Sequence, residues 1–332
     1  MISPENGPLI VGLGGGSGST TIEEVALEKF NNIVGITPVS DDGGHSGKII
    51  DVLGVNPPGD ATRRIAVRIR NQKVRELFLH RWDGEHNLNG HRPMNELLAA
   101  AESQTGSHSA GIELIEEAFA SWYVGRVVPA SNDHVRLRAL MSDGSILDGE
   151  HLLDELKTND PYVKDIVFTK NNGHGTEATV PVAYPEALFY ILKSRLNIAY
   201  PGSWWGSIMA ITKIPDIASA LSESKGKLAL ITNATRSFDT PDWSASEFCR
   251  KFTETVDRKL DFAIINVPDH SFPDSYQKEN SYPVEPDLEE CQKYAEKVIS
   301  GPFTTIEEIG GKPVVRHNGK RISQILSKIL AC

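Results

Sequence analysis

Apolar and polar positions along the chain follow two periods. Residues 8–18 (PLIVGLGGGSG) are a short apolar run feeding into glycines, which predicts a buried strand ending in a tight turn. Ile22, Val25, Ala26 and Phe30 then keep helical spacing, with Ser19 or Thr20 placed to cap the helix. Residues 32–40 (NIVGITPVS) are a second apolar run, so strand, turn, helix and strand make a βαβ unit. Further helices are predicted over 63–79, 95–101, 110–122, 185–194 and 321–330. A hairpin is predicted from 135 to 147 around Asp143-Gly144. Residues 227–232 (KLALIT) and 262–267 (FAIINV) read as central parallel strands. The polar stretch 158–180 reads as an inserted loop. These elements predict an α/β fold: a doubly wound, mostly parallel sheet with helices on both faces.

Composition narrows the picture. The chain has 332 residues, 39% hydrophobic and 23% charged, enough to bury a large core, which excludes a disordered tail. Thirty-four basic against 44 acidic residues leave a net charge of −10, so the bulk field repels phosphate and no nucleic-acid partner is expected. Any anion site has to be built locally. Cys249, Cys291 and Cys332 are too far apart in sequence for a metal or redox motif. No apolar run is long enough for a membrane span, and the polar start does not suit a signal peptide. The expectation is a cytoplasmic protein with no membrane partner.

Several segments are suited to ligand chemistry. Gly15, Gly16, Ser17 and Gly18 form a glycine turn at a predicted helix start, where backbone amides favour a phosphate. The turn matches a dinucleotide fingerprint only in part, because Ser17 stands where the last glycine belongs. Asp41 and Asp42 follow the second strand and are placed to hold ribose, Mg²⁺ or a transferred proton. Asp60, in the loop 56–64, reads as the cap of an arginine-rich helix. That basic run reads as a solvated face, with Arg63 nearest the loop as its ligand candidate. His91 and Asn95 lie in a loop entering a helix. Ser203 and Ser207 flank Trp204-Trp205, which either pack as core or stack on a base. Asn233 ends a strand, and Arg316-His317 stands late in the chain.

The order of these motifs is more specific than any one of them. GGGSG at 14–18, SDDGGHSG at 40–47, PPGD at 57–60, Gly90-His91, PGS at 201–203, Thr232-Asn233, Tyr276 and VVRHN at 314–318 together resemble the gluconeogenesis factor family (YvcK-type), a relative of 2-phospho-L-lactate transferase (CofD-like). The resemblance runs from about residue 8 to 330. It implies one Rossmann-like domain over 1–332 with a small insertion at about 145–185. It also implies a regulatory protein that binds a nucleotide or a UDP-sugar type nucleotide sugar, linked to carbon metabolism and cell shape. The alternative it carries is a transferase passing a phospholactyl-type group from a guanosine nucleotide to a deazaflavin alcohol. In that case Asp42 is the catalytic residue and the ligand of an assisting Mg²⁺. By resemblance, Gly15, Gly16 and Gly18 line the phosphate site. Asp60 and Arg63 fall on the PPGD loop and the turn that follows it, and Ser203, Ser207 and Asn233 on nucleotide-facing loops. Tyr276 and Arg316 match nucleotide-sugar positions. A homodimer is expected from the family and from the arginine-rich helix. The chain departs from the family pattern at Met94, at Trp204-Trp205 and at Asn318, where an aspartate is usual.

Overall fold

The computed structural model describes residues 7–331 apart from 86–87, 154, 157–159, 172–175, 274 and 277–280. The first part of the chain runs β1 (Ile10–Leu13), α1 (Ser17–Ala26), β2 (Ile33–Thr37), α2 (Gly44–Leu53), α3 (Gly59–Arg68), α4 (Gln72–Leu79), α5 (Pro93–Thr105), α6 (His108–Ala118) and β3 (Arg126–Pro129). An antiparallel excursion follows: β4 (Arg136–Met141), β5 (Ile146–Asp148), a 3₁₀ turn Glu150–Leu153, β6 (Val163–Asn171) and β7 (Thr176–Thr179). The chain then returns through α7 (Pro185–Lys193) and β8 (Leu196–Ala199) to a π-helical turn (Trp204–Met209), α8 (Ala210–Thr212), α9 (Pro215–Glu223), β9 (Lys227–Ile231) and β10 (Thr235–Arg236). It ends with α10 (Ala245–Val256), β11 (Leu260–Asn266), β12 (Tyr282–Pro283), a short helix Leu288–Cys291, β13 (Ala295–Gly301), the hairpin β14 (Thr304–Ile309) and β15 (Lys312–His317), and a closing helix Gly319–Ala331.

The main sheet has seven parallel strands in the order β13-β11-β9-β8-β1-β2-β3. Its strands are apolar almost throughout because both faces are covered. Period-two alternation sorts their side chains. Val11, Leu13, Val34, Ile36, Leu228 and Leu230 pack on one face with Ile191, Ile217 and Phe248 of α7, α9 and α10. Ile10, Ile33, Ile198, Ile231 and Ile264 pack on the other with Ile22 of α1 and Ile322 and Leu326 of the closing helix. The expected doubly wound architecture is therefore present. Winding runs outward from β1 to β3, then restarts at β8 on β1's other side. That reversal opens a crevice at the carboxyl ends of β1 and β8, where such sheets take their ligands.

Local structure departs from the sequence reading in four places. The helix expected over 63–79 is two helices. Ile69 is extended and bridged to Tyr123, and Asn71 starts α4 by accepting from the Val74 N–H at 3.3 Å. Asp60 is not a cap: Pro58 holds that position and Asp60 lies in the first turn of α3. Gly16, not Ser19 or Thr20, precedes α1, and the Ser19 and Thr20 hydroxyls donate back to the carbonyls of Gly15 and Gly16. The polar stretch 158–180 holds two strands, β6 and β7, in a four-stranded antiparallel sheet ordered β5-β4-β6-β7. Its Asn172-Gly173 segment lies outside the described residues. The hairpin around Asp143-Gly144 forms as expected, pairing Leu140 with Ile146.

Candidate ligand site at the strand-order reversal

The turn after β1 is set from beneath by a buried ion network. Arg64 and Arg68, four residues apart on one face of α3, are completely buried, so the arginine run does not face water as a whole, although Arg70 and Lys73 beyond it are exposed. Glu23 of α1 supplies the counter-charge. Arg64 Nε donates to Glu23 Oε2 at 3.0 Å, a second Arg64 nitrogen pairs with Oε1, and Arg68 Nη1 donates to Oε2 at 2.9 Å. Burial alone would lift the Glu23 carboxyl, but the two guanidiniums outweigh it and hold it below the usual range. Arg64 also donates to the carbonyls of Gly12 (2.9 Å), Gly14 (2.6 Å) and Ile36 (2.7 Å). One side chain thus ties together the carboxyl ends of β1 and β2, from which the ligand loops leave.

Above that network the glycine turn closes on Asp60. The Gly16 N–H donates to Asp60 Oδ1 at 2.7 Å, and Arg63 Nη1 stands 3.7 Å from the same oxygen. A side chain on Gly15 would overlap the Asp60 carboxylate and come within 2.7 Å of Ser207 Oγ. A side chain on Gly18 would overlap the carbonyl of Pro201, where the loops after β1 and β8 meet. Close approach of backbone and side chains therefore requires these glycines. Burial raises the Asp60 carboxyl, against the opposing pull of Arg63 and the Gly16 amide. Burial, and then the charge of Asp60, pushes Asp41 up to about 6. Asp41, Asp60 and Arg63 act as one electrostatic group beside the turn. Ser17 is the first residue of α1.

On the other side of the Gly18–Pro201 contact lies a cavity of about 460 Å³. Gly18, Ser203, Asn233, Arg316 and His317 line it, with Leu153 from the excursion. Asn233 clamps the loop after β8: its Oδ1 accepts from the Gly202 N–H at 3.1 Å and its Nδ2 donates to the Gly202 carbonyl at 2.9 Å. Ser203 Oγ accepts from the Gly206 N–H at 3.1 Å, turning the chain into the π-helical segment. Tyr276 anchors the β14–β15 hairpin by accepting from the Val315 N–H at 2.6 Å, one residue before Arg316. His317 is buried, which lowers its imidazole to about 4 and leaves it neutral at physiological pH. Two buried nitrogens on lining residues, Trp204 Nε1 and His317 Nε2, have no hydrogen-bond partner among the described residues. Trp204 and Trp205 resolve to the core reading, packing edge-on with Trp243.

The remaining candidates are spread around this centre. Asp42 faces the excursion, where its Oδ1 accepts from the backbone N–H of His151 at 3.0 Å and meets the His151 ring at 3.0 Å. Among the described residues no three His, Cys, Asp or Glu side chains form a group that could hold a metal ion. Asn95 Oδ1 accepts from the Thr62 hydroxyl at 2.7 Å, and His91 pairs with Glu96 at 2.8 Å. Both sit on the α3–α5 side, away from the residues lining the 460 Å³ cavity. Sequence reasoning missed Glu150, whose carboxylate stands against Gly206 and near Gly43 and so reaches the site from the excursion. The adjacent Gly149, in a left-handed conformation with φ +124°, was the available signal.

A sheet wound in this order, with glycine turn, buried arginine support and a polar cavity at the reversal, defines a doubly wound α/β protein of the class that binds ligands at strand carboxyl ends. Within that class the chain belongs to the family described as 2-phospho-L-lactate transferase CofD, whose model matches residues 10–304. It is similar to a gluconeogenesis factor of Bacillus subtilis (strain 168), 28% identical over 330 residues covering 97% of this chain and 98% of that one. A gluconeogenesis factor of Listeria innocua is 28% identical over 338 residues, 99% of this chain and 98% of its own. The crystal structure of a UPF0052-family protein from Bacillus halodurans matches with a TM-score of 0.83 at 27% identity, covering 96% of this chain and 99% of that one.

Proposed function

We propose that this chain is a nucleotide-sugar-binding regulatory protein of the gluconeogenesis factor type, taking a UDP-sugar such as UDP-N-acetylglucosamine in the 460 Å³ cavity. The observation that carries the reading is the cavity lining. Arg316 supplies a cation for a diphosphate, while Trp204 Nε1 and His317 Nε2 are buried polar atoms that a polar ligand would satisfy. The volume suits a small-molecule ligand. Tyr276 acts through the hairpin, holding Arg316 over the cavity.

The transferase reading, which gives the catalytic role to Asp42, draws on one observation at its neighbour: the raised carboxyl of Asp41 beside Asp60 and Arg63, which would suit a proton-accepting group near neutral pH. A thermal-shift comparison separates the two. UDP-N-acetylglucosamine, GDP and NAD are each added with and without Mg²⁺. Stabilisation by the UDP-sugar without Mg²⁺ is expected, and a shift seen only with GDP and Mg²⁺ would sink the regulatory reading.

A further inference from the structure

The loop after β9 brings a carboxylate to the 460 Å³ cavity. Thr235, Ser237, Phe238 and Asp239 of this loop all line it. The loop is held at both ends. Val284 N–H donates to the Ala234 carbonyl at 3.0 Å, and β10 pairs with β12 through Thr235 and Pro283. Thr240, at the other end, is buried. Its N–H donates to the Ser237 carbonyl at 3.1 Å, and its hydroxyl accepts from the Ser237 N–H at 3.4 Å. Between these ends the indole N–H of buried Trp205 donates to the Asp239 carbonyl at 3.0 Å. The Ser237 hydroxyl donates to Asp239 Oδ1. Residues 234–242 lie outside the motifs that carry the family resemblance, and Trp205 is itself one of the departures from that pattern.

Among the described lining residues the charged side chains are Arg316 and Asp239. A cation and a carboxylate in one cavity sort a ligand by its parts. Arg316 attracts a diphosphate, whereas Asp239 repels it and, having only acceptor atoms, calls for hydroxyl donors. We propose that Asp239 determines the specificity of this cavity, its carboxylate accepting both hydroxyls of a vicinal diol on the ligand, with Trp205 as the residue that positions it. In a nucleotide sugar that diol is the ribose 2′,3′-pair or a hydroxyl pair of the sugar. The inference rests on the nucleotide-sugar reading of the cavity and adds the group that reads the ligand's uncharged part. One carboxylate offers two oxygens, so it suits neighbouring hydroxyls, and its charge strengthens both bonds. A ligand without the pair leaves those oxygens short of donors, which is how a site built on hydrogen bonds rejects an analogue.

The test is isothermal titration of the whole chain, without Mg²⁺, with two pairs of ligands. UDP against 2′-deoxy-UDP reads the ribose, and UDP-N-acetylglucosamine against UDP reads the sugar. The wild type is expected to prefer the diol-bearing member of one pair by about tenfold or more. Asp239→Asn is expected to cut that preference to about twofold or less, and Trp205→Phe, which keeps a packed ring, to reduce it in part. Arg316→Ala is expected to weaken both members alike and leave the preference intact. Equal melting temperatures would show that the variants are folded. A preference that survives Asp239→Asn, or a wild type with no preference in either pair, would overturn the proposal. If GDP binds and the UDP ligands do not, the UDP-sugar reading fails, while GDP against 2′-deoxy-GDP still tests Asp239. Absence of binding by every nucleotide overturns both.

Discussion

At the residue scale, Glu23 is the most consequential single side chain beneath the site. One carboxylate faces two buried guanidiniums, so Glu23→Gln leaves both without a counter-charge. Such a change is expected to cost about 3–5 kcal/mol, read as a lowered midpoint in urea unfolding. Asp41 makes the opposite kind of prediction. Its folded carboxyl is raised to about 6 from an ordinary 3.8, so the folded state holds the proton more tightly than the unfolded chain. The stability this contributes is present in full below pH 3.8 and lost as pH rises through about 6. Asp41→Asn is therefore expected to raise the melting temperature at pH 7.5, by up to about 3 kcal/mol in stability, with the gain vanishing near pH 4. A variant that melts below the wild type at pH 7.5 would contradict the assignment. The sequence showed these residues without their roles. A run of arginines ordinarily faces water, and only the four-residue spacing of Arg64 and Arg68, with Glu23 beside apolar Ile22, hinted at an inward-facing group.

At the element scale, the glycine turn works as a junction between loops. The Asp60 carboxylate already accepts one of its amides, and Pro201 packs against Gly18. Gly15→Ala is expected to weaken ligand binding and lower the melting temperature, because its methyl meets Asp60 and Ser207. Gly202→Ala, with nothing within 4 Å of the added methyl, is expected to leave the melting temperature unchanged. Elements bounded by glycines or proline, such as β1, β2 and α7, were legible because period and punctuation agreed. β3 and β8, four residues each, are too short to establish a period, and β13 at the sheet edge alternates with Glu296 and Ser300, so none of the three stood out. The order of the outer strands is a property of packing that local pattern does not carry.

At the scale of the whole molecule, the reversal of strand order gathers loops from distant parts of the chain. Gly18, Ser203, Asn233 and Arg316 share one cavity, and the antiparallel excursion supplies Leu153 to it and His151 to Asp42. The motifs at Gly18, Ser203, Asn233 and Arg316, noted in the sequence, line this cavity. The motif order did not foretell that His91 and Asn95 would stand apart with the α3–α5 helices, nor that Asn233 would be committed to Gly202. No helix among the described residues is long and apolar enough to cross a membrane. With Arg64 and Arg68 turned inward, the arginine-rich helix no longer argues for a homodimer, which rests on the family resemblance alone.

The central claim is that the cavity under Arg316 takes a UDP-sugar. Isothermal titration of UDP-N-acetylglucosamine, without Mg²⁺, against the wild type, Arg316→Ala, Tyr276→Phe and Asp42→Asn tests it most directly. The account predicts saturable one-site binding, weakened about tenfold or more in Arg316→Ala, less in Tyr276→Phe, and unaltered in Asp42→Asn. No binding to the wild type, or binding that survives Arg316→Ala but is lost in Asp42→Asn, would contradict it.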